Sequence, residues 1–137
     1  PVELMLAVGS FCAGGVLERF PKLRVAFLEG NCGWLPWALY RLDERWEMRK
    51  GYCNEPMSMK PSDYFMRQCF ISVDVEEDLL GDVLRRIGDD NVVISTDYPH
   101  ADSHWPDAMN HFMAMEMPSG SRKKILWDNC ARLYGVH

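Results

Sequence analysis

The chain has 137 residues, of which 47% are hydrophobic and 26% are charged, and its formal net charge is −5. This length suits a single domain, residues 1–137, with one hydrophobic core. The negative charge argues against nucleic acid or an anionic membrane as a partner, and no apolar run approaches the ~20 residues of a membrane span. The five cysteines are widely spaced without a CxxC pair, which predicts reduced thiols in a cytoplasmic protein.

The first half of the chain is predicted to form a helix, then a strand, then a second helix. Apolar residues at helical spacing indicate the first helix over residues 2–17. The apolar run at 23–28 indicates a strand that ends at Glu29, and a loop with two glycines follows at 30–33. Residues 34–48 form the second predicted helix, with apolar side chains along one face.

The second half repeats this alternation. Apolar and small residues at 92–95 indicate a strand covered on both faces, which runs to Asp97 and stops before Pro99, because proline cannot donate a ladder hydrogen bond. The other predicted elements are a short helix opening at Pro61, a strand over 69–73 ending at Asp74, and helices over 76–87, 107–115 and 121–134, the last capped by Ser119 or Ser121.

This order of elements predicts a parallel sheet, because a helix between two strands lets the second strand run in the same direction as the first. Three strands make a thin sheet, whereas a complete (β/α)₈ barrel needs about 250 residues. The chain also lacks an initiator methionine and opens within a predicted helix, so a longer parent chain is expected. The predicted fold class is therefore α/β: the C-terminal part of a (β/α)₈ TIM barrel, with parallel strands alternating with helices.

All three predicted strands end in a carboxylate, at Glu29, Asp74 and Asp97. The carboxyl ends of parallel strands meet at one edge of a sheet, where such acids repel one another unless a cation or a shared proton lies between them. No helix is predicted directly after Asp97, which favours a functional role for it over helix capping. Asp74 precedes an acidic helix start and is interpreted as a helix cap. For Glu29 two interpretations remain: the glycine loop after it lets a ligand approach, or it only turns the chain.

Histidines gather in the loop after the last predicted strand. His100 and His104 lie within seven residues of Asp97, and imidazole is both a common metal ligand and suited to proton transfer near neutral pH. Loop histidines are also often plain surface groups, so both interpretations stay open. Trp105, in the same loop, either lines a substrate pocket or covers the barrel mouth. His111 and His137 are predicted to be structural or to face solvent.

Three segments, in the same order, resemble the amidohydrolase-related family, which includes aminocarboxymuconate semialdehyde decarboxylase and related benzoate-type decarboxylases. FPKLRVAFLEG at 20–30, followed by GWLP at 33–36, is similar to the family's sixth strand and the helix after it. STDYPH at 95–100, followed by WP at 105–106, is similar to the eighth strand, and NCARLYG at 129–135 to the closing helix.

The resemblance implies a divalent metal at the carboxyl ends of the barrel strands, usually zinc, with manganese as the alternative. By motif match, Asp97 is the metal ligand and the general base, and zinc lowers the pKa of bound water to about 7. The family's first-strand His-x-His pair and fifth-strand histidine are expected upstream of Pro1. The family's decarboxylases carry a catalytic histidine on the sixth strand, where this chain carries Glu29, which can still act as a base or hold a polar substrate group.

The sequence therefore predicts a metal-dependent hydrolase that acts on a small carboxylated or cyclic organic substrate through a metal-activated water. Asp97 and Glu29 are the predicted catalytic residues, and His100 and Trp105 the predicted substrate-binding residues. One alternative is a metal-dependent decarboxylase of the same family. Another is a non-catalytic half-barrel that only associates with a partner. The open sheet edges predict a homo-oligomer such as a dimer, and the fragment alone is expected to be inactive.

Overall fold

The computed structural model describes residues 1–49, 57–101 and 103–136, so Cys53 and His137 lie outside the described residues. Helices and strands alternate through these ranges, and none of the described helices is long and apolar enough to cross a membrane. The elements in chain order are α1 (Val2–Ala13), α2 (Val16–Arg19), β1 (Val25–Phe27), α3 (Leu35–Arg49), α4 (Pro61–Gln68), β2 (Cys69–Asp74), α5 (Leu80–Ile87), β3 (Val92–Ser95), α6 (Ala108–Ala114), α7 (Ser121–Lys123), a π-helical turn (Lys124–Asp128) and α8 (Asn129–Tyr134).

The three strands form one parallel sheet in the order β1-β2-β3. Phe27 pairs with Ile71 across the first strand pair, and Asp74 pairs with Ser95 across the second. Each strand therefore lies beside the next one in the chain, without the reversal of strand order that marks a doubly wound sheet. Sequential parallel strands joined by helices are the repeating unit of a (β/α)₈ barrel, which confirms the predicted fold class.

The core lies around the central strand β2, whose first five residues are all buried. Helix α4 runs directly into β2 and places Tyr64 and Phe65 in the same core, where their exposed fractions are 1% and 0%. The aromatic ring of Phe65 stacks on that of Phe27 in β1, with the ring centroids 6.1 Å apart. Because β2 is covered on both faces, its sequence is almost continuously apolar rather than alternating.

Two buried asparagines fasten the helices to the amino-terminal ends of the strands. The Asn91 side-chain amide donates hydrogen bonds to the carbonyls of Met66 and Cys69, at 3.0 and 2.7 Å. The Asn129 amide donates to the carbonyls of Asp89 and Val92, at 2.7 Å each. Buried backbone carbonyls need such partners, so the asparagine of the NCARLYG segment holds α8 against the start of β3.

Helix boundaries differ from the sequence expectation at glycines. The predicted helix over 2–17 is interrupted, since α1 ends at Ala13 and Gly15 takes a left-handed conformation with φ 74° before α2 begins. The predicted serine caps of the last helix are wrong, because Gly120, with φ 94°, precedes its first residue and no side chain caps it. The Ser121 hydroxyl instead donates to Asp89 Oδ2 at 2.7 Å.

The four described cysteines are free thiols, as predicted. Cys12 on α1 and Cys69 at the start of β2 are both buried, and a hydrogen bond between the two side chains raises the pKa of the Cys12 thiol well above its usual range. Burial is the second cause of that shift. The Cys12 thiol is therefore protonated, and both cysteines pack as core side chains.

Candidate functional site

The three strand-end carboxylates lie at one edge of the sheet. Asp74 is the last residue of β2, and Glu29 and Asp97 each follow the end of their strand by two residues. Burial raises the pKa of Asp74, and the negative charges of Glu77, Asp97 and Glu29 raise it further. The structure therefore brings together the acids expected from the parallel topology, and it adds Glu77 to them.

The backbone is strained at the same edge. Among the described non-glycine residues, positive φ angles occur at Glu29 (61°), Asn31 (58°), Glu76 (67°) and Asp97 (56°). All four lie in the turns that directly follow the carboxyl ends of the strands. The left-handed conformation costs a non-glycine residue roughly 1–3 kcal/mol, and such residues cluster at active sites and ligand-binding positions.

Asp97 and His100 form a pair in the turn after β3. Asp97 Oδ1 lies 2.9 Å from His100 Nδ1, and the His100 backbone N–H donates to the Asp97 carbonyl at 2.9 Å. The side chains are 38% and 58% exposed, so solvent or a ligand reaches both. The next helix begins only at Ala108, so Asp97 caps no helix. A carboxylate beside an imidazole can orient the ring and hold a proton between the two groups.

Trp105 packs on the same turn. Its ring centroid lies 4.8 Å from that of Tyr98, and the peptide bonds before Pro99 and Pro106 are both cis. Trp105 and Tyr98 are each 60% exposed. The loop therefore presents an aromatic surface next to the Asp97–His100 pair, and its size and flat faces suit contact with a cyclic molecule.

Asp74 does not cap α5, contrary to the sequence interpretation. Helix α5 starts only at Leu80, and no side chain caps it. Asp74 Oδ2 instead accepts a hydrogen bond from the Asn31 side-chain amide at 2.9 Å. A turn separates Asp74 from the start of α5, so its carboxylate is not at the helix N-terminus. It binds the loop after β1 instead.

Glu77 fastens the same loop, a role that the sequence pattern does not reveal, because the acidic run 76–78 looks like a helix start. Its Oε1 accepts hydrogen bonds from the backbone N–H groups of Cys32 and Gly33, at 2.8 Å each. Burial and the Glu77 charge raise the pKa of the Cys32 thiol. A charged oxygen that accepts two backbone hydrogen bonds holds a turn tightly.

The glycines of this loop make close contacts within the chain. A Cβ at Gly30 would lie 2.3 Å from Leu4 Cδ1, and a Cβ at Gly33 would lie 2.5 Å from Leu79 Cδ1. The two glycines therefore allow the loop to pack on α1 and on the turn before α5. The Trp34 indole N–H also donates a hydrogen bond to the Gly30 carbonyl at 2.8 Å. Close packing and hydrogen bonds therefore both fix the conformation of the segment after Glu29.

Glu77→Ala should lower the free energy of unfolding by about 2–4 kcal/mol, because each hydrogen bond to a charged acceptor contributes about 1.5–3 kcal/mol and water replaces part of the loss. Glu77→Gln keeps an oxygen in place and should lose less than half as much. Urea unfolding and amide hydrogen exchange at Cys32 and Gly33 measure both effects. Asp78→Ala, at an exposed neighbour, is the matched control. Equal stability for the Ala and Gln variants contradicts the anchoring role.

His104 and His111 contact a different acid from His100. His104 Nε2 lies 3.7 Å from Glu76 Oε2, and His111 Nδ1 contacts Glu76 Oε1 directly. His111, predicted to be structural or to face solvent, is partly exposed and paired with this acid. Its partner lies 35 residues earlier in the chain, so no local sequence signal links the two.

The strand-end acids fit a divalent cation. Within 1–49, 57–101 and 103–136, neither lysine nor arginine pairs with Glu29, Asp74, Glu77 or Asp97. Carboxylate oxygens next to an imidazole are donors that suit Mn²⁺ and Zn²⁺. A cation there would relieve the repulsion that raises the pKa of Asp74.

The sequence profile of the amidohydrolase family matches residues 1–136. The 2-amino-3-carboxymuconate-6-semialdehyde decarboxylase of Dictyostelium discoideum is 30% identical over 99 residues, which cover 72% of this chain and 27% of that protein. The gamma-resorcylate decarboxylase of Polaromonas sp. is 28% identical over 126 residues, which cover 90% of this chain and 37% of that protein. The chain thus spans between 27% and 37% of the length of these curated relatives.

A solved structure supports the same fold. The dihydroxybenzoic acid decarboxylase of Polaromonas sp., with bound manganese and the inhibitor 2-nitroresorcinol, aligns with a TM-score of 0.76 and 24% identity. The alignment covers 96% of this chain and 40% of the other. At this identity the likeness establishes the shared fold, in which the three strands are part of a barrel.

Proposed function

Because this chain belongs to the amidohydrolase family, we propose that it supplies the C-terminal strands of a metal-dependent decarboxylase acting on a small carboxylated cyclic substrate. The sequence alone favours a hydrolase, with the decarboxylase as an alternative. Both curated relatives described above are decarboxylases, and so is the manganese-bound structural neighbour. These resemblances support the alternative better than the hydrolase.

The group of carboxylates at the strand ends, with His100 beside Asp97, is the observation that carries this proposal. An anionic substrate would be repelled by these acids unless a cation balanced them. In the proposal, Asp97 is a ligand of the metal. The sequence resemblance favours Zn²⁺ as that metal, whereas the manganese bound by the Polaromonas neighbour favours Mn²⁺. When bound, such an ion supplies positive charge that attracts the substrate's carboxylate and polar oxygens.

Decarboxylation requires one proton at the carbon that loses CO₂. The bond between that carbon and the carboxylate breaks, its electron pair stays on the carbon, and a proton takes the place of the departing CO₂. The Asp97–His100 pair, with its 2.9 Å contact, would hold this proton beside the substrate. Glu29 would hold a polar group of the substrate or act as a base, and Trp105 would cover one face of its ring.

The predicted partners follow from the same proposal. A small molecule is the proposed substrate, and the Polaromonas neighbour binds a small aromatic inhibitor. A homodimer stays a prediction from the open edges of the sheet. The cytoplasmic location likewise stays a prediction, which rests on the free thiols.

Product analysis separates decarboxylation from hydrolysis. The protein expressed from its full gene, stripped of metal and reloaded with Mn²⁺ or Zn²⁺, should release CO₂ from hydroxybenzoates or related cyclic carboxylates. In D₂O the ring product should carry one deuterium at the carbon that lost the carboxylate, because the proton comes from an exchanging group of the enzyme. Chelation should abolish CO₂ release and readdition of metal should restore it. Hydrolysis of lactones or amides by the metal-loaded protein, without CO₂, would support the hydrolase instead.

A further inference from the structure

A second group of metal-ligating atoms lies outside the strand-end acids. It consists of Glu76, His104 and His111, and one ligand atom from each lies within 4.8 Å of the other two. The imidazole ring centroids of His104 and His111 are 5.0 Å apart, and both rings face the Glu76 carboxylate. Each Glu76 oxygen thus has its own histidine partner, Oε1 for His111 and Oε2 for His104.

Three separate segments place these side chains together. Glu76 lies in the turn after β2 and has a left-handed backbone conformation, with φ 67°. His104 belongs to the loop after β3, and His111 lies on α6. The strained conformation costs roughly 1–3 kcal/mol and is kept at a residue whose carboxylate meets two imidazoles from distant segments.

We propose that Glu76, His104 and His111 form a second divalent-metal site, which takes Zn²⁺ or a similar borderline cation. Two neutral imidazoles and one carboxylate are a ligand set that Zn²⁺ accepts, with water in the remaining position. Bond lengths of about 2.0–2.2 Å place tetrahedral ligand atoms roughly 3–3.5 Å apart. The His104–Glu76 contact of 3.7 Å is already close to that spacing, and only the widest separation in the group, which is within 4.8 Å, has to shorten by about 1–2 Å. The exposed fractions of the three side chains, 35–53%, leave them free to rotate that far.

The surroundings leave room for the open coordination position. Glu76 and His111 line a surface pocket with Asn110, Ala114 and Met115. Glu76 also lines a second pocket, in which Glu77, Asp78, Asp82 and Glu116 outnumber the single basic residue, Arg85. Negative charge around the ligands raises the local concentration of cations.

This site is distinct from the strand-end acids. The group of Glu76, His104 and His111 includes none of the strand-end acids Glu29, Asp74 and Asp97. Asp97 pairs with His100, which contributes nothing to the second group. A cation bound by Glu76, His104 and His111 would tie the loop that carries His100 and Trp105 to the turn after β2. The proposed role is therefore to hold that loop in place.

Metal titration of the protein expressed from its full gene, without an affinity tag, tests this site. The Asp97→Asn background weakens the other metal site, and Co²⁺ serves as the probe because its visible absorption reports nitrogen and oxygen ligands. In this background we expect one bound Co²⁺ that is lost when His104→Gln and His111→Gln are added. Its affinity should fall at least about 10-fold for either histidine change alone. All three variants alter exposed or partly exposed side chains, so circular dichroism should show them folded.

Two control variants complete the test. Glu116→Gln removes an exposed acid from the neighbouring acidic pocket. His100→Gln removes an imidazole from the loop that carries His104. Neither variant should change the Co²⁺ spectrum of the second site. Unchanged stoichiometry and affinity in the double histidine variant would overturn the proposal. An Asp97→Asn protein that binds no Co²⁺ in the titration would overturn it as well. Neither result bears on decarboxylation, which the product assay measures separately.

Discussion

Asp97→Asn should lower kcat/KM for CO₂ release by about 100- to 10,000-fold in the protein expressed from its full gene, the range attributed to a positioned acid–base group. Asparagine keeps the shape of the side chain, and it tolerates the left-handed backbone at this position. It removes the charge that would hold a divalent cation and the carboxylate that contacts His100. Steady-state kinetics with metal content measured on the same samples give both effects.

The loss of one negative charge in Asp97→Asn needs a control variant. Asp107→Asn removes an exposed acid at the end of the same loop and should leave kcat/KM within about twofold, because its carboxylate accepts a hydrogen bond from Asn110 and has no assigned role in the reaction. Asp97→Asn should also lower the pKa of Asp74, since the Asp97 charge is one of the causes of its upward shift. An Asp97→Asn enzyme with normal kcat/KM and full metal content would refute the assigned role.

Phe65→Ala should lower the free energy of unfolding by about 3–5 kcal/mol, the usual effect of truncating a fully buried aromatic side chain. Phe65 is 0% exposed, and its ring stacks on Phe27 of β1 while its helix leads into β2. The truncation therefore leaves a cavity between α4 and the sheet, and the surrounding side chains collapse into it only in part. Urea unfolding followed by circular dichroism measures the shift of the midpoint.

Phe20→Ala is the matched control, since Phe20 is 57% exposed and its truncation should cost about 1 kcal/mol or less. The difference between the two phenylalanines isolates burial from residue type. A similar small loss for both variants would mean that α4 does not pack on the sheet as described. A larger loss at Phe20 than at Phe65 would place the main core elsewhere.

Local patterns in the sequence are enough to predict the elements and part of the site. The apolar runs of β2 and β3 and the proline after β3 predict parallel strands that end at carboxylates, because burial and hydrogen-bonding capacity depend on residue type. The parallel direction of the strands then predicts that Glu29 and Asp97 lie at the same edge of the sheet, where the folded chain has them. Their catalytic roles, and those of His100 and Trp105, stay predictions.

Pairings between residues distant in the chain are visible only in the fold. Asp74, which the local pattern marks as a cap, binds Asn31, 43 residues away, and Glu77 holds backbone groups 44 and 45 residues away. His111 meets Glu76 across 35 residues. Local periodicity and residue chemistry thus specify the strands, the helices and the acids at the strand ends. The folded chain alone specifies which polar groups pair, because a hydrogen bond depends on distance and direction in space and leaves no periodic mark in the sequence.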